Sequence, residues 1–265
     1  MISSLLLNAA VLVAVVLVLW AISVKIDDVS FIDSFWGAGM ALMALTSWLQ
    51  LEEPGAVANL LLAMTAAWGL RLGIYLFRRW QAEGEDKRYE RMLRKDREKG
   101  RFAFAALTKV WLGQALLLFI VSSPAQLGIL SSEAPAPLAG IAWAGIALYL
   151  VGITFEWLGD WQLARFKADP ANKGEVMDKG LWRYTRHPNY FGDACAWWGI
   201  WLVAASISWE IAAWTVVGPL FLTFTLVKWS GAALLEKGMK HTRPGYEDYK
   251  RRTSAFIPMP PKKSG

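Results

Sequence analysis

Six ionisable residues interrupt the apolar runs of this 265-residue chain: Asp33, Arg71, Lys109, Glu156, Asp193 and Lys228. An ionisable group within hydrocarbon is costly unless it is paired or faces water, so such residues mark a functional site by default. Carboxylates and guanidinium groups at these depths can hold the hydroxyls and phosphates of a polar ligand, or carry a proton. The sequence leaves open that both lysines reach to the membrane surface instead, and that Glu156 and Asp193 lie at the membrane interface.

Helical spacing groups the polar residues into three stripes, each on one helix face. The stripes are Trp68, Arg71, Tyr75 and Arg78; Glu156, Asp160 and Lys167; and Asn189, Asp193 and Trp197. Polar stripes that faced lipid would be unsatisfied, so we expect the three to face one another around a ligand near the cytoplasmic side.

The elements that must position these stripes are predicted to be membrane helices. Hydrophobic residues make up 55% of the chain, and the mean hydropathy is +0.31, which is typical of a polytopic membrane protein. Runs long enough to cross a bilayer lie near 4–24, 31–49, 57–77, 102–122, 138–158, 190–208 and 211–230. The predicted fold class is therefore all-α, with seven transmembrane helices, and residues 1–265 are predicted to form a single integral membrane domain.

The basic residues predict the orientation of these helices. All but three of the 28 lysine and arginine residues fall on the side of the membrane that holds the C-terminus. By the positive-inside rule this side is cytoplasmic and the N-terminus is outside. One cysteine and two histidines exclude an internal disulfide and argue against a metal centre, so no metal site is predicted.

The segment from Gly180 to Asp193, with the sequence GLWRYTRHPNYFGD, is dense in hydrogen-bonding residues and begins a predicted membrane helix. Pro188 suits the first turn of that helix, and Asn189 and Asp193 then project one turn apart. Free N–H groups at the helix start, beside Arg183 and Arg186, would form an anion site suited to a nucleotide phosphate.

This run resembles the Arg-His-Pro-x-Tyr signature of membrane reductases of the steroid 5α-reductase and sterol reductase type, which related membrane methyltransferases share. Three further features are similar to the reductases: Asn189 to Asp193, Glu156 with Asp160 before Lys167, and the tail from Arg243 through Pro258. Residues 68–71 (WGLR) and 84–89 (GEDKRY) resemble a bacterial branch of this superfamily. The resemblance covers roughly residues 30–260.

The resemblance implies that NADPH binds in the cytoplasmic half of the bundle. The residues that match cofactor-holding positions are Arg71, Arg88, Asp160, Lys167, Asn189, Asp193 and Trp197, with weaker matches at Tyr184, Arg186, His187 and Glu236. Arg78 and Glu156 share helix faces with this set and are predicted to belong to it. For His187 the sequence leaves three roles open: proton donation, contact with ribose or phosphate, and packing.

The catalytic acid is less directly indicated. Steroid 5α-reductases hold the substrate carbonyl with a Gln-Glu pair and a tyrosine, whereas here Trp68 stands at the position of the tyrosine. Reduction of an enone needs an acid at the carbonyl, because negative charge accumulates on that oxygen. Asp33, alone or through Tyr75, is the predicted acid. The alternatives for Asp33 are a helix cap and an ion pair with Arg71.

The sequence therefore predicts NADPH-dependent reduction of a carbon–carbon double bond in a lipophilic enone, such as a Δ4-3-oxosteroid, in a bacterial inner membrane with the cofactor site facing the cytoplasm. Two alternatives remain: an S-adenosylmethionine-dependent membrane methyltransferase and a non-enzymatic lipid-binding scaffold. The connector from Lys167 to Lys179 is either a cover for the cofactor or an ordinary loop.

Overall fold

The computed structural model describes residues 1–133, 137–138, 140–229, 236 and 243–262. In chain order, the helices among them are α1 (Ile2–Ile26), α2 (Ile32–Trp48), α3 (Ala56–Glu83), α4 (Lys87–Glu98), α5 (Phe102–Val121), α6 (Ser123–Leu130), α7 (Gly140–Ala168), α8 (Pro188–Ala205), α9 (Trp209–Trp229) and α10 (Tyr246–Arg252). Two short 3-10 helices are Pro170–Asn172 and Gly180–Arg183. These described residues form no strand, so the all-α prediction is confirmed for them.

Five of these helices are long and apolar enough to cross a membrane: α1, α3, α5, α7 and α9. They correspond to five of the seven predicted spans. Helices α2 and α8 occupy the other two predicted positions, but with 17 and 18 residues they are shorter and do not belong to the five. The seven-span topology and the orientation of the termini stay predictions.

The two lysines within predicted spans both lie on π-helical turns. Lys109 lies in the turn Ala106–Trp111 of α5, and Lys228 lies in the turn Thr225–Trp229 of α9. The Nζ atom of Lys109 is 2.6 Å from the Oδ2 atom of Asp96 on α4, and the lysine side chain is half exposed. Lys109 therefore belongs to a surface ion pair with the amphipathic helix α4.

The chain divides into two compact units. That residues 1–265 form a single membrane domain stays a prediction. Unit 1 comprises Met1–Ala142 and Val203–Gly218, and unit 2 comprises Trp143–Leu202 and Pro219–Gly265.

Within unit 1, α2 and α3 pack with their backbones in contact at Gly37 and Gly69. A Cβ atom on either glycine would overlap the carbonyl oxygen of the other. Any side chain at this crossing would push the helices apart, since close-packed interiors have no spare volume. The contact lies one turn after Asp33, so it fixes the start of α2 against α3.

At the other end of unit 1, a buried amide network joins α1, α2 and α6. Asn8 Nδ2 donates to Ser47 Oγ at 2.7 Å and to Gln126 Oε1 at 2.9 Å, and Asn8 Oδ1 accepts from Gln50 Nε2 at 2.9 Å. Asn8 is fully buried. Because its amide groups are satisfied within the protein, we interpret the network as packing.

Within unit 2, α7 and α8 cross at Gly152 and Gly192. A Cβ atom on Gly192 would come within 2.6 Å of the Gly152 carbonyl oxygen and 2.8 Å of Glu156 Cγ. The absence of a side chain on Gly192 therefore makes room for the Glu156 side chain against α8. This crossing sets the separation of the polar residues that the two helices carry.

Candidate functional site

The first group of functional side chains lies in unit 1, where α2 begins. Because α2 starts at Ile32, Asp33 lies in its first turn. Arg88 Nη2 donates to Asp33 Oδ2 at 2.7 Å, and the Tyr89 hydroxyl donates to Asp33 Oδ1 at 2.7 Å. Both carboxylate oxygens therefore accept a hydrogen bond. We refer to Asp33, Asp86, Arg88 and Tyr89 as the Asp33 cluster.

Helix α4 brings Arg88 and Tyr89 to this position. Asp86 caps the helix by accepting from the Arg88 backbone N–H at 2.8 Å, and its carboxylate also accepts from Arg88 Nε at 3.0 Å. At the far end of α4, Arg97 donates to the Asp27 carbonyl oxygen at 2.6 Å. The helix is therefore attached at both ends, with the Arg88 guanidinium held between two carboxylates.

Electrostatics keeps Arg88 charged and Tyr89 protonated. Burial alone would lower the pKa of Arg88, but hydrogen bonding and the charges of Asp86 and Asp33 raise it above its usual value. Burial and the neighbouring Asp33 carboxylate raise the pKa of Tyr89, so its phenol stays protonated and donates its hydrogen. A cavity of about 300 Å³ lies beside the cluster, and Asp33, Asp86, Trp80 and Lys87 contribute to its lining.

The structure differs from the sequence prediction in the partners that it gives Asp33. The sequence left a helix cap or a pair with Arg71 open for Asp33 and predicted that Asp33 acts alone or through Tyr75. The N-cap residue of α2 is Phe31 rather than Asp33, and the arginine and phenol that contact Asp33 are Arg88 and Tyr89. Tyr89 was missed as a site residue because it lies outside the three stripes, although it stands next to Arg88 in a segment that carried the resemblance.

The α3 stripe lies on a continuous helix, as predicted. Trp68 is buried, Arg71 and Tyr75 are half-buried, and Arg78 is exposed. This gradient follows the helix from its middle towards its polar end. The ligand contacts of these four residues stay predictions.

The second group lies in unit 2, at the crossing of α7 and α8. Asn189 is in the first turn of α8, and its Nδ2 atom donates to Asp160 Oδ1 on α7 at 3.1 Å. Glu156 is fully buried one turn before Asp160, and Asp193 is half-buried one turn after Asn189. Two of the predicted stripes therefore face each other, as expected from their spacing.

Two further members of these stripes lie at opposite ends. Trp197 is fully buried one turn beyond Asp193, and Lys167 is exposed near the end of α7. The Trp182 Nε1 atom donates to the Gly159 carbonyl oxygen at 3.0 Å, which attaches the signature segment to α7. This tryptophan was not predicted as a contact, and only the tertiary structure reveals it.

The third group surrounds Glu236 in unit 2. Arg186 Nε donates to Glu236 Oε1 at 2.8 Å, and His187 Nε2 lies 3.1 Å from the same oxygen. The His187 ring stacks on Tyr190 with a centroid separation of 5.4 Å. Burial alone would raise the pKa of Glu236, but the hydrogen bonds from His187 and Arg186 lower it to about 2. We refer to Arg186, His187 and Glu236 as the Glu236 cluster.

Arg186 also holds the C-terminal segment. Its Nη1 atom donates to the carbonyl oxygens of Thr253 at 2.6 Å and Lys250 at 3.2 Å, and its backbone N–H donates to the Ser254 carbonyl at 2.9 Å. The segment from Trp182 to Arg186 is thus a docking surface for residues 249–259.

Neighbouring residues continue this docking. Thr185 Oγ1 donates to the Phe256 carbonyl at 2.8 Å, and the Tyr249 hydroxyl donates to the Trp182 carbonyl at 2.5 Å. The Tyr184 carbonyl accepts from the Met259 N–H at 3.0 Å, while the Tyr184 side chain is exposed. The sequence did not predict the role of Tyr249.

The anion site predicted at the start of α8 relied on free backbone N–H groups, and two of these groups are already hydrogen-bonded. The His187 N–H donates to Thr185 Oγ1 at 3.3 Å, and the Tyr190 N–H donates to the Asn189 side chain at 3.1 Å. These N–H groups are not free, because polar side chains of the same segment satisfy them. A phosphate contact of Arg186 stays a prediction, while its observed partners are the Glu236 carboxylate and the carbonyls of the tail.

The described part of the chain is all-helical, has five helices of membrane length, and pairs polar side chains within each of its two units. The chain belongs to the family described as "Protein of unknown function (DUF1295)", whose model matches residues 19–253.

Three relatives are similar to this chain. The uncharacterized protein C594.04c of Schizosaccharomyces pombe is 24% identical over 264 residues, covering 91% of this chain and 76% of its own length. The 3-oxo-5-alpha-steroid 4-dehydrogenase 1 proteins of Mus musculus and Rattus norvegicus are each 27% identical over 118 residues, which is 43% of this chain. The chain spans only 41% and 40% of the lengths of these two dehydrogenases. No solved structure matches this chain significantly.

Proposed function

We propose that this protein is a membrane oxidoreductase that uses NADPH to reduce a carbon–carbon double bond in a lipophilic enone, of which a Δ4-3-oxosteroid is an example. The observation that carries the proposal is the hydrogen bond from the Asn189 side chain to the Asp160 carboxylate, at the crossing of α7 and α8. Both residues resemble cofactor-holding positions of steroid 5α-reductases, and part of the chain is similar to two 3-oxo-5-alpha-steroid 4-dehydrogenases.

The side chains at this crossing suit the sugar and amide groups of a dinucleotide. Carboxylates accept hydrogen bonds from hydroxyls and amides, and an asparagine both donates and accepts. Asp160 and Asn189 already fix each other's orientation, which would reduce the ordering cost of binding. Glu156, Asp193 and Trp197 are the further proposed contacts on the same helices. Bound NADPH would supply a hydride to the substrate.

The basic residues are proposed to hold the phosphates. Arg71, Arg78, Arg88 and Lys167 are the proposed contacts, with weaker proposals at Tyr184, Arg186, His187 and Glu236. Of these, Arg88 is held between Asp33 and Asp86 with its side chain 41% exposed, so the side chain is partly accessible to a ligand. Arg186 and His187 are largely buried and share Glu236, which favours a supporting role for both.

The acid that assists at the substrate carbonyl is proposed to come from the region of Asp33, Tyr75 and Trp68. The Tyr89 phenol donates to Asp33, and the proton shared between them could be passed on to a substrate oxygen. We further propose that α2 and α8 complete a seven-helix bundle in a bacterial inner membrane, with the basic side in the cytoplasm.

The test is the thermal stability of the detergent-purified protein with NADPH, NADH and S-adenosylmethionine in parallel. A ligand that binds only the folded state stabilises it and raises the melting temperature. At a ligand concentration of 100 times Kd, the stabilisation is about 2.7 kcal/mol. We expect a rise with NADPH and its loss in Asn189→Ala and Asp193→Ala. Glu98→Gln, an exposed acid of α4, is the matched control and should keep the shift.

Each other outcome identifies a competing function. A shift with S-adenosylmethionine alone would replace the reductase proposal with a methyltransferase. No shift with any of the three ligands would favour a lipid-binding scaffold. The expected shift with NADPH would instead support the reductase proposal. It would justify screening Δ4-3-oxosteroids and other enones by the loss of NADPH absorbance.

A further inference from the structure

One face of α7 exposes a row of large apolar side chains. Trp143, Leu150 and Trp157 recur at seven-residue intervals on one face, and each is more than half exposed in the protein alone. Thr154 lies exposed between them, and its hydroxyl donates to the Leu150 carbonyl at 2.7 Å. A hydroxyl satisfied within its own helix can face hydrocarbon without leaving a polar group unpaired.

Towards the C-terminal end of α7, this face changes from apolar to basic within two turns. Trp161 is 56% exposed and lies one turn after Trp157, and Arg165 follows one turn later. The Arg165 guanidinium lies 5.6 Å from the centroid of the Trp161 ring. Tryptophan followed by arginine on a lipid-facing helix is typical of the boundary between acyl chains and headgroups.

A groove of about 390 Å³ opens at this boundary, entirely within unit 2. Arg165 and Lys179 supply two cations to its lining, and Phe166 and Met177 supply apolar surface. Asp169 is the one carboxylate among the described lining residues, and its Oδ1 atom already accepts from the Ala171 N–H at 2.9 Å. The groove therefore combines positive charge with an apolar wall.

The backbone around the groove is held in place by its own side chains. Gln162 Oε1 accepts from the Leu181 N–H at 2.9 Å, and Asn172 Nδ2 donates to the Phe166 carbonyl at 3.0 Å. These two bonds attach the connector after α7 to the last turns of the helix. The groove is therefore formed by the fold itself, and its cations project from a fixed frame.

We propose that this groove binds the headgroup of an anionic phospholipid, with the phosphate between Arg165 and Lys179 and the acyl chains along Trp161 and Trp157. Charge complementarity favours an anionic headgroup, and continuity with the apolar face of α7 favours a lipid over a soluble anion. The proposal depends on α7 lying in a membrane and is independent of the reductase chemistry.

The experiment is native mass spectrometry of the full chain in detergent, with phosphatidylglycerol and phosphatidylcholine of identical acyl chains. We expect one phosphatidylglycerol to stay bound at concentrations where phosphatidylcholine does not. The double variant Arg165→Gln, Lys179→Gln should weaken phosphatidylglycerol binding roughly tenfold or more, since each cation near an anionic headgroup contributes about one factor of five. The control Arg94→Gln, Lys95→Gln removes two exposed cations of α4 and should bind as the unmodified chain does.

Three results would overturn the proposal. Equal loss in both double variants would show that diffuse surface charge attracts the lipid. Displacement of phosphatidylglycerol by millimolar inorganic phosphate would show a site for a free anion. Displacement by NADPH, or loss of the NADPH thermal shift in the Arg165, Lys179 double variant alone, would assign the groove to the cofactor. Retention of phosphatidylglycerol in the presence of NADPH would support the lipid site. This result would hold whether or not the protein uses NADPH as a hydride donor.

Discussion

The Asp33 and Glu236 clusters use the same chemistry in different surroundings. In each, one carboxylate contacts an arginine and a ring that carries a polar hydrogen: Arg88 and Tyr89 around Asp33, Arg186 and His187 around Glu236. The side chains of Arg88 and Asp33 are 41% and 24% exposed, whereas those of Arg186 and Glu236 are 9% and 13% exposed.

This difference in burial separates two roles. Breaking a buried ion pair leaves an uncompensated charge and is strongly destabilising, whereas a partly exposed pair contributes little because water replaces the lost partner. The Glu236 cluster is therefore expected to stabilise the fold, and the Asp33 cluster to remain available to a ligand. Four predictions test this contrast.

The largest effect is expected from Arg186→Ala. The substitution removes the guanidinium that Glu236 shares with His187 and leaves the carbonyls of Lys250 and Thr253 without this donor, which should cost about 3–5 kcal/mol of unfolding free energy. Unfolding of the purified protein by heat or by denaturing detergent measures the loss. Arg183→Ala, an exposed arginine of the same segment, should change stability by about 0.5 kcal/mol at most. Equal stability of the two variants would remove the distinction between the clusters.

The second effect is a pH dependence carried by Glu236. Its pKa falls from 4.5 to about 2 on folding, so its contribution is present above pH 4.5 and is lost as the pH falls from there towards 2. The shift corresponds to about 3 kcal/mol at neutral pH. Melting temperatures from pH 6 to pH 3 should fall more steeply for the unmodified chain than for Glu236→Gln. Parallel slopes would contradict the ion-pair role of Glu236.

The third prediction concerns Asp33→Asn and Arg88→Gln. Because this pair is partly exposed, each substitution should lower the unfolding free energy by about 1 kcal/mol or less. The NADPH-induced rise in melting temperature should nevertheless be lost. Arg91→Gln, on the exposed side of α4, should retain it. A large loss of stability in Asp33→Asn would show that both clusters are structural.

The fourth prediction concerns Tyr89→Phe, which leaves the ion pair of Arg88 and Asp33 in place. It removes one hydrogen bond to Asp33, worth about 1 kcal/mol. Since folding raises the pKa of Tyr89 above 10.0, its contribution to stability is present below pH 10.0 and is lost as the pH rises beyond it. Ultraviolet titration at pH 11 should count the same number of ionised phenols in the folded variant and in the unmodified protein. One fewer in the variant would mean that Tyr89 ionises normally.

Much of the fold could be predicted because hydrophobic length and helical period are local properties. The apolar runs located five membrane-length helices, and the spacing of Glu156, Asp160, Asn189 and Asp193 predicted two stripes that do face each other. The shorter helices α2 and α8 show the limit of this approach. Packing glycines and buried polar residues reduce their apolar length, so hydropathy alone does not decide whether they cross the membrane.

The partners of individual charges could not be predicted, because pairing depends on contacts between residues far apart in sequence. Asp33 contacts Arg88 and Tyr89, 55 and 56 residues further along the chain. Arg186 has the type expected of a phosphate ligand, yet it holds the tail carbonyls of Lys250 and Thr253. Residue type states which interactions are possible, while position in the fold selects among them.

The sequence by itself determined the class of this protein: apolar runs fix helices of membrane length, and the signature around Arg186 and His187 indicates a superfamily. Only the tertiary structure decided which carboxylate meets which arginine, and how deeply each pair is buried. Burial sets the balance between desolvation and attraction, and it depends on the packing of whole helices. For that reason two clusters of similar composition, one at Asp33 and one at Glu236, are expected to have different roles.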